Sequence, residues 1–406
     1  VLSMYDSSRL QGPTMDGQDI SWEQFNVNVK AQLDAMKASD KRIVLLTQTF
    51  ASPTNELIIE KFLSKYPNVE HVVYDSISNS KALEAFEMSY GVRALPTYDF
   101  VNANVIVSIS ADFLGDWQGG GFSKGYAKNR VPKNGRMSKH YQIESNMSLS
   151  GANADVRISI KPSLQKKALL KIYDYISGEN SGVSLDIELD TKLKSISDNL
   201  LKCNGDGVLI TGIDDVGAQL IALKINKLIK SNVINVQKLN YTSLGDDKKV
   251  LKVVKDLSNK KIDGLIMIGV NPSYTLPDSE QFNKSLKSLD LSVSFSMNNT
   301  ETAKLSKWVA ATPHYLESWG DVEMKSGNYS LVQPTIKPLF DTSQFQEVLL
   351  NWSDSSNSFY DELKSNWNKN ILKGFSWNQA LHDGIFHPES NNKKLSSSYS
   401  FPNVNP

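Results

Sequence analysis

The sequence predicts an α/β protein: two doubly wound, mostly parallel α/β domains followed by an irregular C-terminal extension. Three observations predict it. Short continuous apolar runs recur, such as Ile43-Val44-Leu45-Leu46 and Leu265-Ile266-Met267-Ile268, and such runs suit strands covered on both faces of a parallel sheet. Between them lie apolar residues at helical spacing, as at Ile58, Phe62 and Leu63. Caps punctuate the alternation, with Ser52-Pro53 reading as a helix start and Gly91 as a helix stop.

Taken in order, residues 1–20 read as an N-terminal arm and 21–160 as the first α/β domain. Its strands centre on residues 43–46, 72–74, 105–107, 141–143 and 156–160, with a helix over 80–90 packing through Leu83, Phe86 and Tyr90. Residues 161–183 read as a linker. The pattern restarts near Ser184, so 184–340 is the second domain. A helix carries Leu193, Ile196, Leu200 and Leu201, and strand 207–211 follows. Asp214 caps a helix with Ile221, Ile225, Leu228 and Ile229 on one face. Helices over 247–257 and 278–289 and strands at 265–268, 293–295 and 308–311 complete the series. The two domains share a pattern but no repeat of fixed period. From 341 to 406 the character changes: Trp352, Phe359, Tyr360, Trp367, Phe375 and Trp377 alternate with Ser and Asn, and 390–406 reads as a polar tail or linker.

Composition narrows the function. The 406 residues suffice for two or three domains of roughly 150 residues. The 44 basic and 44 acidic residues cancel, so no global charge draws the chain to nucleic acid or to an anionic membrane. No apolar run approaches the roughly 18 residues of a membrane span. The single cysteine, Cys203, forms no internal disulfide and leaves the redox compartment open. The chain opens at Val1 with neither an initiator methionine nor a signal-peptide pattern, and so reads as a fragment or a processed piece of something longer.

Few motifs carry chemistry. Gly269-Val270-Asn271-Pro272 lies at the carboxyl end of a buried strand, where open α/β sheets bind ligands. Glycine lets a backbone approach closely, and the Asn271 amide both donates and accepts, although Gly, Asn and Pro are equally the residues of a plain turn. Trp117-Gln118-Gly119-Gly120-Gly121-Phe122 fits neither the dinucleotide fingerprint nor the phosphate-binding loop. With Lys124, Lys128, Arg130, Lys133, Arg136 and Lys139 nearby it reads as an exposed basic loop. His71, His140, His314, His382 and His387 show no zinc or haem spacing and read as isolated, hydrogen-bonded or surface histidines. Asp214-Asp215 and Asp246-Asp247 sit at helix starts and read as caps. Cys203 reads as structural, and no nucleophile elbow is present.

Several segments together resemble a known family. Tyr5-Asp6-Ser7-Ser8-Arg9-Leu10 resembles the Asp-x-x-Arg-Leu segment of molybdopterin oxidoreductases, and Ile20-Ser21-Trp22-Glu23-Gln24-Phe25 their Ile-Ser-Trp element. Residues 269–272 follow. Ala311-Thr312-Pro313-His314-Tyr315-Leu316-Glu317-Ser318-Trp319-Gly320-Asp321 is similar to the family's Leu-Pro-x-x-x-x-x-Glu-x-x-Gly stretch, with a shorter Pro-to-Glu spacing. The order of these segments matches the family across residues 1–340. One branch fits better than the catalytic enzymes: residues 1–13, 271–282 and 313–340, the last including Ser330-Leu331-Val332-Gln333-Pro334, resemble the large iron–sulfur subunit of bacterial alternative complex III, a quinol oxidoreductase.

That resemblance implies two α/β domains like the central domains of molybdopterin oxidoreductases, acting as a cofactor-free scaffold with no active site in this chain. It implies no molybdenum, iron–sulfur clusters elsewhere in the polypeptide, and c-type haem and quinol-binding membrane subunits as partners, with a terminal oxidase as a further partner. It implies a place on the periplasmic face of the bacterial inner membrane, with no direct membrane span. Gly269, Asn271 and Pro272 would mark the relic of a cofactor cleft. The family's molybdenum ligand would fall near 75–80, where Ser76, Ser78 and Ser80 stand and no cysteine does. Two other readings compete: a fragment of a catalytic molybdopterin-dependent oxidoreductase, and a free-standing two-lobed binding protein.

Overall fold

The apolar run at Ile43–Thr47 forms the strand it predicts, and every residue of it is buried. In the computed structural model, which describes residues 1–132 and 137–388, this strand is central to the first of two compact units. Among the described residues that unit comprises 1–78 and 245–388, and the second comprises 79–244.

The first unit is built on a sheet ordered Gln18–Asp19, Thr14–Met15, Trp308–Ala311, Leu291–Ser296, Gly264–Ile268, Ile43–Thr47, Val69–Val73. The last five strands are parallel. Numbered along the chain they run 2-1-3-4-5, one of the two common doubly wound orders. Alternate side chains feed two cores. Ile43 and Leu45 face a cluster with Phe25, Phe62 and Ile266, whereas Val44 and Leu46 face one with Val253, Leu265 and Met267. Strands buried on both faces therefore read as unbroken apolar runs rather than as alternation. The Trp22–Ala38 helix is fixed by a full capping box between Ser21 and Gln24. The Pro53–Lys65 helix has Ser52 as cap and proline at its first position.

The second unit holds a parallel sheet ordered Val156–Ser159, Lys139–Glu144, Val105–Ile109, Gly207–Thr211, or 3-2-1-4 along the chain. The Pro162–Ser177, Ile187–Leu201 and Val216–Leu228 helices share one core with it. Phe100, Phe113, Phe122 and Tyr126 cover the other face. The Ser80–Tyr90 helix ends at Gly91, whose φ of 74° is the left-handed cap that glycine takes at least cost.

The domain reading needs three corrections. The two halves, 21–160 and 184–340, are not the compact units, because Gly264–Ile268 pairs with Ile43–Thr47 and Gly207–Thr211 pairs with Val105–Ile109. Periodicity identifies a strand but not its partner. The 161–183 linker contains the Pro162–Ser177 helix, started by its proline and stopped by Gly178, with Leu169 and Ile172 fully buried. The extension after 340 is helical over Phe345–Trp352, Phe359–Asn366 and Trp377–Asp383. Trp352, Phe359 and Trp367 are wholly buried in the first unit's core. Two of the serines that made this stretch look irregular, Ser358 and Ser376, are helix caps. The tail at 390–406 lies outside the described residues. One cap also moves: Asp215, not Asp214, accepts the Ala218 N–H. No helix among the described residues is long and apolar enough to cross a membrane.

Candidate functional site

In a 2-1-3-4-5 sheet the crossovers leave a crevice between strands 1 and 3, at their carboxyl ends. Here those are Ile43–Thr47 and Gly264–Ile268. Gln48 follows the first and Gly269 the second, and both line a cleft of about 650 Å³. Gly269 has a φ of 70°, and a Cβ there would stand 2.8 Å from the Gln48 side chain. Conformation and space both call for glycine at this point.

The cleft is lined by the carboxamides of Gln48, Asn55, Asn271, Asn298, Gln344 and Gln346, and by the rings of Phe50, Phe295, Tyr315, Trp319 and Phe345. No side chain in the lining carries a charge. Its serine hydroxyls are committed: Ser296 Oγ donates to the Asn298 carbonyl at 2.6 Å and Ser318 Oγ to the His314 carbonyl at 2.9 Å. The Gln346 amide donates to Asn55 Oδ1 at 2.9 Å. The Gln344 side chain accepts from the Trp319 N–H and donates to its carbonyl. Asn298 Oδ1 is buried and has no partner.

The 269–272 motif thus sits at the crevice, but the polar side-chain atoms of Asn271 are bonded to the neighbouring loop. Asn271 Nδ2 donates to Glu301 at 2.7 Å, while its Oδ1 accepts from the Thr302 N–H at 3.1 Å and from the Thr302 hydroxyl at 2.7 Å. Pro272 opens the short Pro272–Thr275 helix. Asn271 is a tie between two loops, which is the plain-turn reading made specific.

The other family-like segments are also accounted for by structure. Arg9 and Glu317, from the first and last of them, meet in a fully buried bidentate pair at 2.8 and 3.2 Å. Glu317 further accepts from the His314 and Leu339 N–H groups. Burial pushes its carboxyl up, and the bonds from Arg9 and the two backbone donors more than offset this, holding it below the ordinary value. Asp321, at the end of the same segment, accepts from the Ser52 and Thr54 hydroxyls and from Trp367 Nε1 at 2.8 Å. Burial raises its pKa.

The remaining candidates do not converge. Ser76 is exposed, and neither it nor Ser78 or Ser80 lines the cleft. Ser80 belongs to the second unit, where it accepts from Arg93 at 3.1 Å. His71 bonds Thr47, His140 bonds Tyr126 and Gln142, and His314 bonds Ser3. Burial depresses both His71 and His140 to about 4. Cys203, just past the end of the Ile187–Leu201 helix, donates to the Asn199 carbonyl. The stretch read as an exposed basic loop instead holds the Ser123–Asn129 helix, with Gln118, Phe122 and Tyr126 buried; Arg130 pairs with Asp155, and Lys133 and Arg136 lie outside the described residues. Among the described residues no group of His, Cys, Asp and Glu has the arrangement of a metal site.

Sequence reasoning missed most of the lining. Gln48, Asn55, Asn298, Gln344 and Gln346 have no periodicity or spacing to announce them. The available signal was position: each follows a strand or sits in a helix's first turns.

The second unit carries a crevice of the same kind, between Val105–Ile109 and Gly207–Thr211, but it is closed. A Cβ on Gly212 would lie 2.2 Å from the Ser110 carbonyl oxygen. The Gly212 N–H donates to Ile109, and the Gln219 amide donates to the carbonyls of Thr211 and Ile213 at 3.2 and 2.9 Å.

No family model and no curated protein matches the chain. Solved structures do. Acetylene hydratase from Pelobacter acetylenicus superposes with a TM-score of 0.70 at 12% identity, over 95% of this chain and 67% of that one. A chain of the formyltransferase/hydrolase complex from Methylorubrum extorquens, solved with methylofuran, superposes with a TM-score of 0.57 at 11% identity, over 87% of this chain and 99% of that one. At such identities the likeness is one of fold, and the fold is molybdopterin-oxidoreductase-like.

Proposed function

We propose that this chain is a structural region of a respiratory quinol oxidoreductase subunit of the alternative complex III type, with no active site and no cofactor of its own. The observation that carries the reading is the uncharged lining of the switch-point cleft. A pyranopterin cofactor bears a phosphate and a metal. The lining offers no cation for the phosphate and no carboxylate, thiol or imidazole for the metal, and its serine hydroxyls are already bonded. These residues do not fit that group, since an ion taken out of water needs a countercharge. The motif residues Arg9, Asn271 and Glu317 are spent on bonds inside the protein. The superposition on a whole chain of a multi-subunit complex is consistent with a fold used as a building block.

In this reading iron–sulfur clusters lie in the rest of the polypeptide, and c-type haem and quinol sites lie in partner subunits. The assembly stands on the periplasmic face of the inner membrane and passes electrons on, to a terminal oxidase among other acceptors. Gentle purification of the native protein from membranes, followed by metal and haem analysis, tests this. Iron and c-type haem without molybdenum or tungsten is the expected result. The second reading, a fragment of a catalytic molybdopterin-dependent oxidoreductase, draws on the likeness to acetylene hydratase. Molybdenum or tungsten near one per chain would establish it in place of the first.

A further inference from the structure

We propose that the first unit carries an anion site, separate from the switch-point cleft, that takes a phosphate or diphosphate group. The site is a cavity of about 710 Å³. The N-terminal arm walls it at Leu10 and Thr14, and the Glu301–Leu305 helix and the end of the Ser279–Lys287 helix complete the wall. It shares no lining residue with the cleft, so it stands whether or not the cleft is free of a cofactor.

Three lysines line the cavity: Lys287, Lys304 and Lys307. None of them makes an ion pair among the described residues. In the same unit Lys30, Lys41, Lys61 and Lys65 all do. The Glu301 carboxyl is held below its ordinary value chiefly by the bond from Asn271, with Lys304 a lesser influence, and it forms no ion pair with that lysine. One carboxylate, Asp16, also belongs to the lining. A turn accounts for it. Asp16 and Gly17 have φ of 49° and 76° between the paired Met15 and Gln18, and Asp-Gly is a favoured pair for a two-residue hairpin turn. Three positive charges therefore face one negative charge.

The uncharged polar groups of the lining add donors. Ser292 is 2% exposed, and its Oγ accepts from the Lys307 N–H at 2.9 Å. The hydroxyl proton of Ser292 has no acceptor among the described residues. The Thr14 hydroxyl and the Asn299 amide have no partner there either. In the cleft, by contrast, Asn271, Gln344 and Gln346 are spent on bonds within the protein. Gathered ammonium groups repel one another, and a donor shielded from water is costly to leave unbonded. An anion with several oxygens relieves both at once. A phosphate group brings about two negative charges and three strong acceptor oxygens, whereas a carboxylate brings one charge and two oxygens. Leu289, Leu305 and Val309 form an apolar part of the wall. That wall suits either of two carriers of the phosphate, a lipid or a soluble ester.

The test uses the full chain and inorganic diphosphate, titrated calorimetrically at physiological ionic strength, where exposed charges are screened beyond about 8 Å. One saturable site per chain is expected. Lys287→Met and Lys307→Met keep the apolar stems and should each weaken binding about ten-fold. Thr14→Val should weaken it about three-fold. Asp16→Asn removes the one carboxylate and leaves a favoured turn pair, so it should tighten binding about three-fold, a gain that misfolding cannot mimic. Lys255→Met, at an exposed lysine of the same unit outside the lining, should change nothing. Flotation with phosphatidylcholine vesicles, with and without phosphatidylglycerol, separates the two carriers. Retention that needs phosphatidylglycerol, is competed by diphosphate and is lost in Lys287→Met assigns the phosphate to a lipid. Diphosphate binding without retention assigns it to a soluble ester. No saturable diphosphate binding tighter than about 1 mM would overturn the proposal. So would several equivalent sites per chain, an affinity unmoved by the cavity variants, or an equal loss in Lys255→Met.

Discussion

The two units solve the same topological problem in opposite ways. Each has a parallel sheet whose crossovers change direction at one point, and each therefore generates a crevice at the carboxyl ends of two central strands. In the first unit Gly269 curls away in a left-handed turn, and a cleft of about 650 Å³ stays open. In the second, Ser110 and Gly212 press their backbones together and the Gln219 amide caps the exposed carbonyls. A sheet order offers a place for a ligand, and the first residues after each strand decide whether that place exists.

The comparison can be broken most forcefully at the first unit's buried ion pair. Arg9→Ala strands Glu317 without its cation inside the protein and should cost about 4 kcal/mol, read as a shift in the denaturant midpoint. A loss below about 1 kcal/mol would mean the pair does not hold the arm. Next comes the seal of the second unit. Gly212→Ala drives a Cβ into a carbonyl oxygen and should cost about 3 kcal/mol, with hydrogen exchange rising in the second unit's strands and not in the first's. The counterpart, Gly269→Ala, meets only the movable Gln48 side chain and a left-handed φ, so about 1 kcal/mol is expected. Equal losses at the two glycines would erase the distinction between sealed and open.

Each unit also holds one histidine depressed by burial to about 4, His71 and His140. The unfolded chain takes up these protons near the ordinary histidine value of about 6.5. It therefore binds more protons than the folded protein between about 6.5 and 4, and stability falls as pH drops through that window. His140→Gln should flatten the fall in a pH series of unfolding curves. The smallest effect belongs to Asn298→Leu, which removes the unpartnered acceptor: a change within about 1 kcal/mol of neutral is expected in the denaturant midpoint.

Much of this was legible in the sequence, in an uneven way. Strands covered on both faces declared themselves, and Ile43–Thr47, Gly207–Thr211 and Gly264–Ile268 lie where their apolar runs put them. Pairing was not legible, because Ile43 pairs with Gly264 and Val105 with Gly207, far apart in the chain, and so the domain halves were misplaced. The helix at Pro162–Ser177 was hidden by its lysines and serine, although Pro162 and Gly178 mark both of its ends. The crevice could be placed at residues 269–272 by position, but its character could not. That character comes from scattered carboxamides which only the fold gathers. The family-like order of segments was legible, and its physical basis was not: Arg9 and Glu317 stand at opposite ends of that series and meet in the core.

The most direct test of the central claim, that this chain holds no metal–pterin cofactor, is chemical. The native protein is denatured in acid with iodine, and the fluorescence of oxidised pterin is measured against protein concentration. The account predicts no pterin above the level of a blank. One pterin or more per chain would contradict it.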